Sequence, residues 1–158
     1  MRFSILAIGK IKEPWMKAGI AEYTKRLAPF AKVDIIEQTE EKVPDRPSQK
    51  DVAAVLEKEG EKLLRFRKDG VMVLLDTKGQ ELSSTDLAEW IRKKTISGTS
   101  HFHFVIGGPY GNGNNLRREA DLRLSLGPMT LTHQMARLIL TEQLYRAMKI
   151  IRHEPYHL

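Results

Sequence analysis

FVIGGPYGNG, from Phe104 to Gly113, and LSLGPMTLTHQMARLILTEQLYRA, from Leu124 to Ala147, decide how this chain is read. Each takes an apolar strand into a glycine turn and then into a helix. A strand that stops at glycines leaves backbone N–H groups facing open space, where they hold a ligand with no large side chain in the way. The first stretch does not fit the dinucleotide fingerprint: Gly111, Gly113 and then Leu116 break G-x-G-x-x-G, and no G-K-[ST] follows.

Outward from these stretches the same alternation recurs. Phe3 to Lys10 reads as a buried strand, and Pro14 opens a helix through Trp15, Ala18, Tyr23 and Leu27 that stops before Pro29. Lys32 to Glu37 is a second strand, and the polar, proline-containing stretch from Thr39 to Ser48 is an exposed connection. Residues 49 to 67 look helical. VMVLLD, Val71 to Asp76, is the strongest strand signal, because a strand buried on both faces needs a near-continuous apolar run; a turn is expected at Lys78 and Gly79. Ser83 and Asp86 have capping-box spacing for a helix over Ser84 to Thr95. His101 to Ile106, Asn115 to Ala120, Leu122 to Leu126 and Thr132 to Ile151 complete the order as strand, helix, strand, helix. Strict alternation implies a mostly parallel sheet flanked by helices on both faces, with ligands outside the carboxyl ends of the strands, where Leu75, Gly107 and Leu126 lie.

The last helix carries two apolar stripes, Met135, Leu138, Ile139 and Tyr145 on one side and Leu140, Leu144, Met148 and Ile151 nearly opposite. One is expected to meet the sheet and the other a second copy of the chain, although burial of both within one monomer is the alternative. Glu142 and Arg146 are spaced to pair, four residues apart.

Composition narrows the function. A length of 158 residues, 41% of them hydrophobic, suits a single domain over residues 1–158. No apolar run is long enough for a membrane span, and MRFSILAIGK passes directly into strand pattern with no signal-peptide features, so a non-exported, cytoplasmic protein is expected. With no cysteine, disulfides, thiolate metal ligands and a cysteine nucleophile are excluded. The five histidines form no H-E-x-x-H pattern, which argues against a metal site; His101 and His103, alternating on a strand, read as structural. The net charge of +6 is concentrated at the ends: residues 1 to 30 hold six Lys/Arg against two acids and residues 115 to 158 hold seven against four. A basic face of this kind suits RNA, or serves as a solubilising surface.

Taken together, IGGPYG, the block LSLGPMTLTHQMARLILTEQLYRAMKI, the tail RHEPYH, the opening ILAIGK and the LSS after LLDTKGQ resemble the RlmH family of SPOUT methyltransferases along the whole chain. The resemblance implies methyl transfer from S-adenosylmethionine to N3 of a pseudouridine in 23S ribosomal RNA, without a metal, by a homodimer with a trefoil knot in its carboxy-terminal part. A knot lies outside anything the strand pattern suggests. The resemblance assigns cofactor contacts to Leu75, Gly107, Leu126, Gly127, Pro128, Met129, Thr130 and Leu131; the polar residues of the matching blocks, His133, Arg137, His153, Glu154, Tyr156 and His157, are the candidates for a base or charge-stabilising group, with His133, Arg137 and Tyr156 placed at the substrate.

These assignments are chemically reasonable. Methyl transfer from a sulfonium needs a nucleophile held in line, so positioning supplies much of the catalysis. Attack through a uracil-type C5 carbon usually needs a cysteine adduct, whereas a ring nitrogen needs only to lose its proton. His133 and Arg137, one helical turn apart, are spaced to reach one point. No RNA-binding module is present, so assembled ribosomes are the expected substrate. The competing reading is a non-catalytic dimeric RNA- or nucleotide-binding protein of the same fold, which the polar loop GNGNN after GGPYG would favour.

Overall fold

A computed structural model describes residues 1–158. Its strands are β1 (Arg2–Ile8), β2 (Lys32–Gln38), β3 (Val71–Glu81), β4 (His101–Ile106) and β5 (Leu122–Ser125), alternating with α1 (Pro14–Leu27), α2 (Gln49–Leu64), α3 (Ser84–Ile96), α4 (Asn114–Glu119) and α5 (His133–Ile151). The strands form one sheet in the order β2-β1-β4-β3-β5, every neighbouring pair parallel. β1 and β4 are buried along nearly their whole length, whereas β2, at an edge, alternates between exposed and half-buried residues. That contrast is what helices on both faces of a parallel sheet impose on inner and outer strands.

Alternate residues of each strand supply two cores. Phe3, Ile5, Val73, Phe102 and Phe104 face α1, α3 and α5 through Leu27, Leu87, Ile91, Leu140 and Leu144. Leu6, Ile8, Met72, Leu74 and Val105 face α2 and α4 through Leu63 and Leu116. Thus the odd-numbered helices cover one face and the even-numbered ones the other.

The helix boundaries follow local chemistry. Pro14 is at the first turn of α1, where its missing N–H costs nothing. Ser83 and Asp86 form the expected reciprocal cap on α3, and Ser48 with Asp51 forms a second on α2 that shares its spacing. β3 departs from expectation. Lys78 and Gly79 lie within the strand, which pairs with β5 at Leu75, loses register, and resumes pairing at Gln80. The chain bulges there instead of turning, because a Cβ on Gly79 would come within 2.6 Å of the Arg123 carbonyl oxygen and only glycine lets the two backbones approach so closely.

The two stripes of α5 are both used inside the chain. Leu140, Leu144 and Met148 pack on the sheet, while Met135 and Leu138 meet the small cluster of Ile11, Met16 and Ile20 around α1. Glu142 and Arg146 pair at 2.6 Å. No helix is long and apolar enough to cross a membrane.

Candidate active site

At the carboxyl ends of β3, β4 and β5 the three following loops enclose a cleft of about 550 Å³, a volume suited to a small ligand or cofactor. Leu75, Ile106, Leu124, Leu126 and Leu131 provide apolar wall, and Gly107, Gly108, Gly111 and Gly127 expose backbone. The open side adjoins the start of α5, a 19-residue helix whose first turn is capped by the Thr132 side chain accepting from Met135 N. Seven of the eight residues that the resemblance assigns to the cofactor line this cleft; Pro128, exposed in the same loop, does not.

The glycines have different jobs. Gly127 has φ +118 with nothing within 4 Å of a would-be Cβ, so it combines a turn that L side chains resist with open space beside the cleft. At Gly107 a Cβ would lie 2.5 Å from the Gly111 carbonyl oxygen and collide with Asn112 Oδ1, so its lack of a side chain allows the IGGPYG loop to fold tightly on itself. Asn112 secures that loop: buried, it donates from Nδ2 to the Leu75 carbonyl at 2.8 Å and ties the end of β4 to the end of β3. Asn115, also buried, ties the same segment to α2 by donating to the Glu57 carbonyl at 2.9 Å. The GNGNN stretch is therefore a latch. From sequence this polar loop counts only as a feature favouring a non-catalytic protein, although asparagines between glycines are the residue type that replaces missing backbone partners in turns.

Two buried polar atoms on the cleft residues have no partner, Asn112 Oδ1 and His133 Nε2. Unpaired buried polar groups are costly and uncommon, so together with the exposed backbone they fit a polar ligand such as a nucleoside bearing an amino-acid arm. His133 Nε2 lies 3.8 Å from Glu40 Oε1. Burial lowers the His133 pKa, Glu40 opposes that and Arg137 reinforces it, leaving the ring less readily protonated than a free histidine.

His133 and Arg137 diverge. Arg137 is 1% exposed, and its guanidinium donates to Glu37 Oε2 at 2.5 Å and to the Gly9 carbonyl at 3.0 Å. It lines a second cavity, between α1 and β2, with Ile11, Ile20 and Ile35. Tyr156 folds back on its own chain, donating to Glu142 Oε1 at 3.0 Å, with its ring edge-on to Tyr145 and under the Arg146 guanidinium. Burial and hydrogen bonding with Tyr23 and Glu142 push its phenol pKa well up. Glu142 is nine residues past His133 along α5, about 14 Å at 1.5 Å per residue. The structure thus joins His133 to the cofactor segments and sets Arg137 and Tyr156 apart from them. No group of three or more His, Cys, Asp or Glu residues could hold a metal.

A parallel sheet with its cleft formed by the loops after β3, β4 and β5 is the architecture of an α/β ligand-binding protein, and the chain belongs to the SPOUT methyltransferase family: the profile described as "Predicted SPOUT methyltransferase" matches residues 1–157. Among individual proteins, it is 46% identical over 158 residues to "Ribosomal RNA large subunit methyltransferase H" of Carboxydothermus hydrogenoformans and 48% identical over 158 residues to the protein of the same name from Acetivibrio thermocellus, in both cases across 99% of each chain. The Bacillus pumilus protein of that name is 44% identical over the same 158 residues. In fold, the chain resembles a methyltransferase of Legionella pneumophila solved with S-adenosylmethionine, with a TM-score of 0.51 at 11% identity, covering 96% of this chain and 66% of the other.

Proposed function

We propose that this protein methylates N3 of a pseudouridine in large-subunit ribosomal RNA, using S-adenosylmethionine and acting on assembled ribosomes in the cytoplasm. The observation that carries this reading is the coincidence of the cleft with the segments Leu75 to Thr77, Ile106 to Pro109 and Leu126 to Thr132, in a chain that matches the large-subunit methyltransferases end to end. Leu75, Leu126 and Leu131 would pack on the apolar parts of the cofactor, and backbone groups of Gly107 and residues 126–131 would hold its polar parts. When bound, S-adenosylmethionine supplies an electrophilic methyl group on sulfur.

The rest is positioning and proton transfer by the chain's own residues. Burial holds the His133 ring toward its neutral form, and a neutral imidazole carries a lone pair able to take the proton leaving N3. Arg137 holds Glu37 and the Gly9 carbonyl, fixing the first turns of α5 and with them His133. Tyr156, in the tail after α5, folds against Glu142 and Tyr145 away from the cleft of its own chain, and it serves the cleft of a partner protomer in a homodimer. Exposed Trp15, Tyr110 and Met129, on α1 and on the cleft loops, supply apolar surface for that partner. The whole of residues 1–158 acts as one domain, with the family's trefoil knot in its carboxy-terminal part.

The test is transfer of labelled methyl from S-adenosylmethionine to ribosomes lacking this modification, followed by digestion and mass spectrometry. Label on N3 of a pseudouridine is expected. Cofactor binding with no transfer to ribosomes or to free RNA would favour the non-catalytic binding protein.

A further inference from the structure

One charged cluster beside the cleft has no part in holding the cofactor or moving the proton. Asp76, at the end of the regular part of β3, is 5% exposed, and its carboxylate is fully engaged. Oδ1 accepts from Lys78 N at 3.0 Å; Oδ2 accepts from Arg117 Nε at 3.2 Å and from Arg123 Nε at 3.1 Å, with Arg123 Nη2 at 2.9 Å. The bulge of β3 between Leu75 and Gln80 is where Asp76 sits, and it allows one acid to face an arginine from α4 and another from β5. Burial works against the charged carboxylate, but the bonds from Lys78, Arg117 and Arg123 outweigh it and hold its pKa below the usual range.

Two arginines on one acid leave an excess positive charge. The side chains of Arg117 and Arg123 stay 34% and 39% exposed. Arg117 is anchored through Nε and Arg123 through Nε and Nη2, so both terminal nitrogens of Arg117 and Nη1 of Arg123 remain for an outside acceptor; beyond Asp76, Arg117 has only a long 3.4 Å contact to Asn114. An arginine whose stem is fixed loses little freedom on binding and presents its planar donors ready for a phosphate. Asp76 and Arg117 both line the cleft, whereas Arg123 lies beyond its wall, so the pair runs outward from the rim.

We propose that Arg117 and Arg123, held in place by Asp76, bind a backbone phosphate of the RNA substrate next to the target nucleotide. The inference rests on the reading of the protein as an RNA methyltransferase. It accounts for recognition in a chain with no RNA-binding module: a fixed pair of donors at the mouth of the cleft places the strand, and the cleft receives the base. A carboxylate of the cofactor is the competing anion, but the outer arginine is outside the cleft.

The experiment compares wild type with the double variant Arg117→Gln/Arg123→Gln, and with Arg117→Lys/Arg123→Lys to keep the charge without the fork. S-adenosylmethionine affinity is read by calorimetry, and filter binding and methyl transfer are read on unmodified ribosomes over a series of salt concentrations. The expected result is unchanged cofactor affinity, which also reports a folded cleft, with a KM for ribosomes raised about tenfold and a log-log salt slope reduced by roughly one to two. The lysine variant should fall between. Loss of cofactor affinity in the glutamine variant with the ribosome KM unchanged would overturn the proposal in favour of a cofactor anchor, and no change in either would reduce the cluster to a surface ion pair. If wild type binds ribosomes but transfers no methyl, the functional reading fails by itself; equal ribosome binding by wild type and the glutamine variant overturns the phosphate site independently.

Discussion

The two ends of the sheet are built from one pattern of alternating apolar residues but are finished in opposite ways. At the amino end the chain closes on itself: Arg2 N bonds to Ser100 O, Lys32 N to Met1 O, and His101 Nε2 lies 2.7 Å from Ser4 Oγ. The His101 and His103 rings stack at 3.9 Å, and His103 is fully buried. Positive-φ glycines serve both ends, Gly70 and Gly98 leading into β3 and β4 and Gly9, Gly111 and Gly127 following β1, β4 and β5, but at the carboxyl end the loops leave a cleft lined by the unpartnered Asn112 Oδ1 and His133 Nε2. The amino end is packed closely, with one buried atom, His103 Nδ1, left unpartnered, whereas the carboxyl end opens into a cleft, which is where a parallel sheet is expected to bind its ligand.

The largest break in this contrast should come from the closed core. Phe102→Ala removes a fully buried ring packed edge-on against Phe3 and Trp90, and should cost about 3–5 kcal/mol in urea unfolding. Cofactor affinity of whatever fraction remains folded should be unaffected, and a selective loss of affinity would mean the two ends are coupled. Next is Gly107→Val. Overpacking against Gly111 and Asn112 should lower stability by about 1–3 kcal/mol yet abolish detectable S-adenosylmethionine binding in calorimetry. Retained binding would mean the loop is not part of the cofactor site.

The smallest effect is that of pH. Burial lowers the pKa of both His101 and His103, and the neighbouring ring and Arg2 reinforce this for His101. The unfolded chain therefore takes up protons that the folded one refuses. Stability contributed by these neutral rings is fully present above the ordinary histidine pKa of about 6.5 and declines as pH falls below it. Thermal unfolding between pH 7.5 and 5 should show that decline, and His103→Gln should flatten it. An unchanged slope would remove the histidine pair from the account of the closed end.

Much of the fold was legible because its signals are local. The near-continuous apolar runs, Pro14, the Ser83 and Asp86 spacing and the glycine after each later strand all act within a few residues, and the elements lie where these put them. β3 was misjudged past Asp76 because Gly79 is selected by the approach of Arg123 from another strand, and nothing near it in sequence distinguishes that from a turn. The cofactor segments were assigned from whole-chain resemblance; Asn112, Asp76 and Glu40 were missed because their partners are remote.

The sequence by itself determined the alternation of strands and helices, their caps, and the end of the sheet at which glycines leave backbone open, since periodicity and turn chemistry act over a turn or a pleat. Only the tertiary structure decided that Arg137 turns inward to Gly9, 128 residues away, that Asn112 latches onto Leu75, 37 away, and that Asp76 gathers Arg117 and Arg123, 41 and 47 away. A side chain's spacing along a helix states which residues it is able to meet. Which of them it does meet depends on where other strands place their carbonyls and carboxylates, and that is known only when the sheet has formed.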